Sequence, residues 1–255
     1  MKLATFNTNS IRARLPIILT WLAKERPDAL CIQETKVQDK DFPVGDFEGA
    51  GYDCIYRGQK SYNGVAILSR LPASNIRKDL YDEGDEQARF LSAVIDRIPV
   101  VNVYVPQGHA PGTDKFAYKL KWFDDLLAHL KKTYDPDAPL IVTGDFNVAN
   151  EPMDVHDPEG LEGQVGFHPE ERSRFRKLLD WGLIDLFRKH RPEGGHYTFW
   201  DYRIPNGFKR NMGWRIDYIL ATAPVAAVSD RAWIDTEPRL MDKPSDHTFV
   251  VTEFN

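Results

Sequence analysis

The stretch LIVTGDFN, residues Leu140–Asn147, decides the fold of this chain. Its apolar beginning predicts a buried strand, and the strand ends in a glycine, a carboxylate and a carboxamide. On extended backbone, residues two apart point to the same side, so Asp145 and Asn147 can be directed at one small volume. Ligands of open α/β sheets bind beyond the carboxyl ends of strands, which makes this strand end a candidate site. The alternative is a simple tight turn, because Gly, Asp and Asn all favour turns.

The composition is that of an ordinary globular protein. The 255 residues are 42% hydrophobic and 28% charged, which is enough for a sizeable core. No apolar run approaches the roughly 18 residues that a membrane span needs. A strand-like pattern begins at Met1, so we expect no signal peptide. The two cysteines, Cys31 and Cys54, are too few for a disulfide framework, so a reducing compartment is expected.

The net charge of −5 argues against a protein held to nucleic acid by bulk charge. It does not exclude a nucleic-acid enzyme, because such an enzyme can combine local basic patches with a carboxylate-rich metal site. Charge alone therefore leaves the partner open.

The pattern along the chain predicts a single domain, residues 1–255, without repeats or linkers. The predicted strands are Leu3–Phe6, Ala29–Gln33, Cys54–Tyr56, Val65–Ser69, Phe90–Ile95, Val100–Val105, Leu140–Thr143, Arg215–Ala221, Val225–Ile234 and Thr248–Phe254. The predicted helices are Leu15–Glu25, Lys115–Tyr134 and Glu170–Trp181. Many neighbouring strands are too close in sequence for a crossover helix, which predicts mixed or antiparallel sheets packed together with helices outside. The long irregular stretch Val148–Pro169 is expected to be functional or mobile.

Polar residues follow or end several of these strands, and they form the candidate site. They are Asn7, Glu34, Tyr104, Asp145, Asn147, Asp217, Asp246 and His247. Taken singly, each has a structural alternative as a turn residue, a cap or a core aromatic with a satisfied hydroxyl.

Asp217 is the most informative of them, since it interrupts an apolar strand and a buried carboxylate without a partner is costly. His247 is the favoured partner, because a carboxylate behind an imidazole sets its tautomer and stabilises its charge. A structural pair with Arg215 is the alternative.

Several common chemistries lack their sequence signatures here. The chain has no glycine-rich dinucleotide or triphosphate loop, no Cys-x-x-Cys, no His-Glu-x-x-His and no Gly-x-Ser-x-Gly. Carboxylates, carboxamides, one His and one Tyr remain, and hard oxygen ligands suit Mg²⁺ or Mn²⁺. A divalent cation that polarises a phosphoryl oxygen beside a group that activates water is a site for phosphodiester hydrolysis.

Aromatic and basic residues cluster late in the chain, between Tyr197 and Arg215. Basic side chains suit phosphates, and exposed aromatic rings suit unstacked bases or sugars. We expect Trp200 and Tyr202 to pack in the protein and Phe199 and Trp214 to line a pocket. The alternative is a core-packed aromatic strand with a solvated basic loop.

The motifs taken together and in this order are similar to those of exonuclease III and its relatives, the apurinic/apyrimidinic (AP) endonucleases. These belong to the endonuclease/exonuclease/phosphatase superfamily, and the resemblance covers essentially the whole chain. The matching segments are FNTNSIRAR (6–14), IQETK (32–36), YVPQG (104–108), GDFN (144–147), RID (215–217) and SDH (245–247). The Gly-Asp-x-Asn and Ser-Asp-His motifs mark only the superfamily. Their combination with Ile-Gln-Glu-Thr-Lys and Tyr-Thr-Phe-Trp points to the DNA-repair branch.

The resemblance implies an α/β fold, a four-layer α/β sandwich of two facing mixed β-sheets flanked by helices, with the site at one edge. It implies an enzyme that cleaves 5′ to abasic sites, clears 3′-blocked ends and has 3′→5′ exonuclease activity. The implied partner is double-stranded DNA with abasic sites or 3′-blocked ends, and no membrane partner is implied. The protein is expected to be a monomer of bacterial type in the cytoplasm, associated with the nucleoid. The alternatives are a superfamily phosphodiesterase acting on RNA, phosphoinositides or phospholipids, and a non-catalytic DNA-binding module.

The resemblance also implies how a metal ion is held. Glu34 is expected to be the principal ligand of Mg²⁺, for which Mn²⁺ can substitute, with Asn7 supporting the ion or its waters. Asp145 and Asn147 lie at the same metal site, and Asp246 is a carboxylate of that site or just behind it. Asn9 stands where some family members carry Asp, so a single tightly held ion is expected.

The catalytic roles implied by the resemblance divide among five residues. Tyr104 would hydrogen-bond the scissile phosphate, Asp145 would activate the attacking water, and Asn147 would bind that water or a phosphate oxygen. His247, paired with Asp217, would stabilise the pentacovalent charge or act as the base.

The remaining implied contacts are to the DNA. An apolar pocket would take the flipped abasic sugar, a loop glutamine would enter the DNA near the lesion, and two polar side chains would touch the substrate. These residues are, in that order, Phe199, Trp214 and Ile216; Gln107; and Arg12 and Asn211.

Overall fold

The computed structural model describes residues 1–81 and 87–255. The strands of this part of the chain are β1 Lys2–Asn7, β2 Ala29–Gln33, β3 Asp53–Arg57, β4 Val65–Ser69, β5 Ala73–Arg77, β6 Phe90–Ile95, β7 Ile98–Tyr104, β8 Ile141–Asp145, β9 Leu183–Asp185, β10 Asp217–Thr222, β11 Ser229–Asp235 and β12 Phe249–Phe254. Its α-helices are α1 Ile11–Glu25, α2 Val44–Gly49, α3 Asp114–Thr133, α4 Pro158–Leu161, α5 Pro169–Asp180, α6 Leu186–His190 and α7 Ala223–Ala227.

The strands form two six-stranded sheets, and both are mixed. The first has the order β11-β12-β1-β2-β4-β3 and the second has the order β5-β6-β7-β8-β10-β9. The pairs β1–β2 and β7–β8 are parallel, and the other pairs are antiparallel. The two parallel pairs lie near the middle of their sheets, so their carboxyl ends meet at one edge of the molecule.

Three apolar cores hold the layers together. Between the sheets, branched side chains such as Val65, Ile67 and Ile219 are fully buried. Helices α1 and α2 pack on the outer face of the first sheet. There the ring of Trp21 in α1 stacks on the ring of Phe249 in β12, with 4.0 Å between the ring centroids. On the outer face of the second sheet, α3 and α5 bury a further cluster around Trp122. The layers therefore run helix, sheet, sheet, helix, which confirms the predicted four-layer α/β sandwich.

Several local predictions differ from the structure. The predicted strand Val225–Ile234 is wrong, because α7 occupies its first part and β11 begins at Ser229. Pro224 explains the difference, since proline is favoured in the first turn of a helix and cannot donate to a sheet. Strands β5 and β9 have too little hydrophobic alternation to be recognised, and the stretch Val148–Pro169 contains α4 and a short 3₁₀ turn.

No helix in residues 1–81 and 87–255 has both the length and the apolar character that crossing a membrane requires.

Candidate active site

Strand register in the second sheet places three of the predicted residues side by side. Tyr104 of β7 is the partner of Asp145 in β8, and Asp145 lies opposite Asp217 of β10. Paired residues project from the same face of a sheet, so all three side chains point toward the first sheet. Gly144 allows the strands to approach here, because a Cβ at this position would lie 2.0 Å from the carbonyl oxygen of Val103.

The first sheet contributes Asn7 and Glu34 from the ends of its parallel strands. Asn7 ends β1, and Glu34 follows β2 in a left-handed conformation with φ of 52°. The buried Nδ2 of Asn7 donates to Oε1 of Glu34 at 2.8 Å and to Oδ2 of Asp145 at 2.8 Å. One carboxamide therefore joins the two sheets and holds two carboxylates together.

His247 precedes β12 and pairs with Asp217, as the sequence predicts. Its Nδ1 donates to Oδ2 of Asp217 at 2.8 Å, and its Nε2 lies 3.9 Å from Oδ2 of Asp145. Burial lowers the pKa of His247, but the carboxylates of Asp217 and Asp145 outweigh burial and raise the pKa to about 10. The imidazole is therefore held as a cation, hydrogen-bonded at one nitrogen.

The alternative partner, Arg215, is engaged elsewhere. Its Nε lies 2.7 Å from Oδ1 of Asp154, and its Nη1 lies 2.7 Å from Oδ2 of Asp185. The sequence pattern does not reveal these partners, because Asp154 lies in the long irregular stretch and Asp185 belongs to strand β9, which lacks a recognisable strand pattern.

The acids of the site have unequal proton affinities. Burial raises the pKa of Asp145, the charge of Asp217 raises it further, and the pKa is about 7 in spite of the nearby His247. Burial also raises the pKa of Glu34, but Lys36 and Asn7 outweigh burial and lower it below its ordinary value.

Tyr104 keeps its proton throughout the physiological range. Burial, followed by the charges of Glu34 and Asp145, raises the pKa of Tyr104 well above its ordinary value. Tyr104 is buried at the site, with 8% of the residue exposed, and its protonated hydroxyl can act as a neutral donor.

Asn147 is held tightly against Asp145. Its backbone φ is 51°, and its amide nitrogen donates to Oδ1 of Asp145 at 2.8 Å. Its Nδ2 donates to the carbonyl oxygen of Val105 at 2.9 Å and to Oδ2 of Asp145 at 3.2 Å. Both side-chain hydrogens are used, which leaves Oδ1 as the atom of this carboxamide that can receive a hydrogen bond from water.

A chain of polar contacts that sequence analysis missed links Glu34 to Asp246. Nζ of Lys36 lies 2.8 Å from Oε2 of Glu34 and also donates to Oδ1 of Asn9. Nδ2 of Asn9 then donates to Oδ1 of Asp246 at 2.9 Å. The signal for Lys36 was its place in the Ile-Gln-Glu-Thr-Lys motif, two residues after Glu34.

The site has a donor set suited to a divalent cation. One ligand atom each of Glu34, Asp145 and His247 lies within 4.8 Å of the other two. His247 is held as a cation, so the two carboxylates are the better ligands. Asp246 stands apart from this group, bonded to Asn9. In the described part of the chain, the site has four carboxylates, those of Glu34, Asp145, Asp217 and Asp246, but only two cations, His247 and Lys36. The surplus negative charge and the hard oxygen donors suit Mg²⁺ or Mn²⁺.

The predicted pocket residues come together beside His247. Phe199, Trp214 and Ile216 pack in one apolar cluster with Phe167 and Val155. The ring centroids of Phe199 and His247 are 4.9 Å apart. The apolar cluster therefore borders the candidate catalytic residues directly.

The neighbouring aromatic residues differ from each other. Trp200 is buried as expected, but the expectation that Tyr202 packs in the protein is wrong, because it is 51% exposed. Its hydroxyl binds Arg14 and the carbonyl oxygen of Pro244 instead.

Three predicted DNA-contacting residues lie on the surface. Arg12, Gln107 and Asn211 are all exposed. Oε1 of Gln107 accepts from the amide of His109, and Nδ2 of Asn211 donates to the carbonyl oxygen of Gly195. Their contacts with DNA stay predictions.

The chain has clear relatives among known proteins. Residues 4–247 match the model of the Endonuclease/Exonuclease/phosphatase family. The exodeoxyribonuclease III of Haemophilus influenzae is 35% identical over 267 aligned positions that cover all of both chains.

Two solved structures share the fold over the full chain. An AP endonuclease from Archaeoglobus fulgidus superposes with a TM-score of 0.96 at 43% identity, covering 100% of this chain and 99% of the other. A Neisseria 3′ phosphatase variant bound to product DNA hairpin has a TM-score of 0.96 at 37% identity, with coverage of 100% and 99%.

The relatives from Haemophilus and Archaeoglobus are nucleases, which hydrolyse phosphodiester bonds, and the family is metal-dependent. The family, the fold and the enzyme class predicted from the sequence are thereby confirmed. The chain belongs to the Endonuclease/Exonuclease/phosphatase family, in its group of exodeoxyribonuclease III and AP endonuclease enzymes.

Proposed function

We propose that this protein is a Mg²⁺-dependent DNA-repair phosphodiesterase that cuts duplex DNA 5′ to abasic sites and also clears blocked 3′ ends. The observation that carries the proposal is that the apolar cluster of Phe199, Trp214 and Ile216 lies against the proposed catalytic groups, with the ring centroids of Phe199 and His247 4.9 Å apart. A hydrolytic site for a bare phosphate ester needs no such apolar surface. The names of the relatives from Haemophilus, Archaeoglobus and Neisseria support the same substrate class.

Glu34 and Asp145 are the residues that would hold the metal ion. When bound, Mg²⁺ supplies a positive charge that polarises a phosphoryl oxygen. Asn7 keeps the two carboxylates together through its two hydrogen bonds, and Lys36 holds the other oxygen of Glu34. With Asn9 in place of a further carboxylate, one ion is expected.

Three side chains act on the phosphate and the water. Tyr104, which keeps its proton, donates a hydrogen bond to a phosphate oxygen. His247, held as a cation by Asp217, stabilises the negative charge that grows on the phosphate in the transition state. Because His247 is held as a cation, Asp145 is the better acceptor for the proton of the attacking water.

Asn147 orients that water. Oδ1 is the atom of its carboxamide left to receive a hydrogen from water, and Asp145 lies beside it. The water oxygen forms a bond to phosphorus, the bond from phosphorus to the 3′ oxygen breaks, and the leaving oxygen ends as a 3′-hydroxyl after taking up a proton. This geometry favours contact with water over contact with a phosphate oxygen.

The pocket provides the preference for a missing base. Phe199, Trp214 and Ile216 present apolar surface that suits a deoxyribose without its base. A normal nucleotide would have to be extruded from the duplex at a cost and would then have to fit its base into the same space.

We infer that the chain works as one domain and as a monomer. Asn7 and Glu34 come from the first sheet, and Tyr104, Asp145 and Asp217 come from the second. The catalytic set is therefore complete within one chain and requires both sheets.

A nicking assay on a duplex with an internal tetrahydrofuran residue, an abasic analogue, tests the function. We expect rapid cleavage with Mg²⁺, none with EDTA, and far slower cleavage of the intact duplex. Activity in a metal-stripped sample, or equal rates on both duplexes, would contradict the proposal.

The same preparation separates the other candidate functions. Preferred hydrolysis of RNA or of a phosphoinositide would favour another phosphodiesterase of the superfamily. Tight binding of the abasic duplex without turnover in Mg²⁺ or Mn²⁺ would favour a binding module. A recessed 3′ end, assayed in parallel, measures the balance of endonuclease and exonuclease activity.

A further inference from the structure

A buried ion pair lies beneath the candidate site. Lys119 of α3 and Glu171 of α5 are both fully buried, and the ammonium contacts Oε1 of the carboxylate. A buried ion pair is weak evidence for stability, since well-packed apolar residues of similar volume often serve as well. The other bonds of these two residues are therefore the informative ones.

Lys119 holds two segments of the site by their backbone. Its Nζ donates to the carbonyl oxygen of Asn147 at 2.7 Å and to that of Gln107 at 3.2 Å. Together with Glu171, these acceptors account for all three hydrogens of the ammonium. Asn147 is the residue that donates hydrogen bonds to the carboxylate of Asp145. Gln107 lies on the loop that is predicted to enter the DNA.

Glu171 holds the wall of the pocket. Its Oε2 accepts from the amide nitrogen of Gly166 at 2.8 Å and from that of His168 at 3.1 Å. Gly166 packs against the indole of Trp214, because a Cβ at position 166 would lie 3.1 Å from Cζ3 of that ring. The backbone that supports Trp214 is thus fastened to Glu171.

The two loops meet over the stem of Lys119. A Cβ at Gly108, where φ is 93°, would lie 2.9 Å from Cδ of Lys119 and 3.3 Å from Cγ2 of Val165. The loop after Gln107 and the loop before Gly166 therefore rest on the same side chain and on each other.

We propose that Lys119 and Glu171 are positioning residues, a single buried pair that sets Asn147, the Gln107 loop and the pocket wall at Gly166 in one mutual arrangement. The pair couples the group that orients water to the surface that receives the abasic sugar. This inference rests on the proposed function for its substrate, but its geometry is independent of that substrate.

The test uses a double variant, Lys119→Met with Glu171→Gln. Each single change leaves an uncompensated buried charge and is expected to destabilise the protein. The double change removes both charges, and the new carboxamide oxygen can still accept from Gly166 and His168. The carbonyl oxygens of Gln107 and Asn147 lose their ammonium, so positioning is lost while charge compensation is restored.

We expect the double variant to recover most of the thermal midpoint lost in either single variant. Its kcat on the tetrahydrofuran duplex should stay about 100-fold below wild type, since displacements of about 1 Å at a reacting group have effects of this size. Amide hydrogen exchange should be faster in peptides covering residues 105–112, 145–150 and 163–169. Leu130→Ala, a core change on the same helix, is the control, with a lowered midpoint but unchanged kcat well below that midpoint.

Recovery of wild-type kcat together with stability in the double variant would show that the pair is only structural. Lys119→Arg gives a second test should the double variant not fold. It keeps the charge, but the larger planar guanidinium changes the position and direction of the donors at both carbonyls, so we expect kcat to fall about tenfold, with a midpoint lowered by the extra volume at a buried position. Wild-type kcat in the folded variant would overturn the proposal. A wild-type protein that ignores the abasic duplex would contradict the proposed function alone, since the exchange measurement still tests the pair.

Discussion

Two buried charged clusters begin within two residues of each other, at Arg215 and at Asp217, and they differ in charge balance. The structural cluster consists of Arg215, Arg188, Asp154 and Asp185. The catalytic cluster consists of Glu34, Asp145, Asp217 and His247. In the structural cluster, Arg188 and Arg215 lie 2.5 Å and 2.7 Å from Oδ1 of Asp154, so two cations meet two carboxylates. In the catalytic cluster, three carboxylates face the imidazolium of His247 and the ammonium of Lys36, which lies 2.8 Å from Oε2 of Glu34, so one negative charge is left in surplus.

The pKa values of the central acids follow this difference. Burial raises the pKa of Asp154, but Arg215 and Arg188 outweigh burial and lower it. Burial and a like charge together raise the pKa of Asp145 to about 7. Asp154 and Asp145 are equally buried, but Asp154 is held as a carboxylate in ion pairs, whereas Asp145 can take up a proton near pH 7. The deciding factor is whether the neighbours neutralise the charge, and the surplus charge of the catalytic cluster is what the proposed metal ion would neutralise.

The largest effect that this comparison predicts is from Asp145→Asn. We expect nicking of the abasic duplex to fall by about 1000-fold, within the range for loss of a general base. The thermal midpoint without metal should be unchanged or higher, because a buried like charge is removed. Near wild-type turnover in Asp145→Asn would contradict the assignment of Asp145 as the reactive acid of the two clusters.

Asp154→Asn should show the opposite behaviour. Its loss leaves Arg215 with less compensation in a buried position, at a cost of about 3 kcal/mol. For a chain of this size, we expect a midpoint about 6–12 °C lower, with kcat of the folded protein within about twofold of wild type. Thermal unfolding and nicking at low temperature measure both quantities. Glu162→Gln, which removes the charge of a half-exposed carboxylate paired with Arg172, is the control and should change both quantities little.

Metal addition should stabilise only the catalytic cluster. At Mg²⁺ concentrations about 100 times its dissociation constant, the folded state should gain about 2.7 kcal/mol, seen as a higher midpoint than in EDTA. Glu34→Gln should abolish this gain, whereas Asp154→Asn should retain it. An equal metal-induced shift in Glu34→Gln would place the ion elsewhere.

The smallest effect is expected from Trp214→Ala, which alters the pocket and leaves both clusters in place. Cleavage of the abasic duplex should fall about 10- to 30-fold, in line with the loss of an aromatic contact to a nucleotide. Hydrolysis of bis(p-nitrophenyl) phosphate, which needs no pocket, should change little. A parallel loss on both substrates would show that Trp214 supports the catalytic cluster rather than the substrate.

The hydrophobic pattern predicted secondary structure correctly where the cause of that structure lies in neighbouring residues. The apolar strand ending at Asp145 and the amphipathic helices were visible in sequence because burial imposes its own periodicity. Local pattern failed at Val225–Ile234, where Pro224 in a helical first turn outweighs the β-branched residues around it. Lys119 was hidden for a related reason, since a lysine on an amphipathic helix is usually solvated.

By itself, the sequence determined the candidate catalytic residues and that Asp217 needs a partner, because residue type and strand ends are local properties. Only the tertiary structure decided the partners: His247 rather than Arg215 for Asp217, Asn7 between Glu34 and Asp145, and Glu171 for Lys119. Such choices depend on strand register and on the packing of segments far apart in the chain. Charge balance, which separates the catalytic cluster from the structural one, exists only after those segments have met.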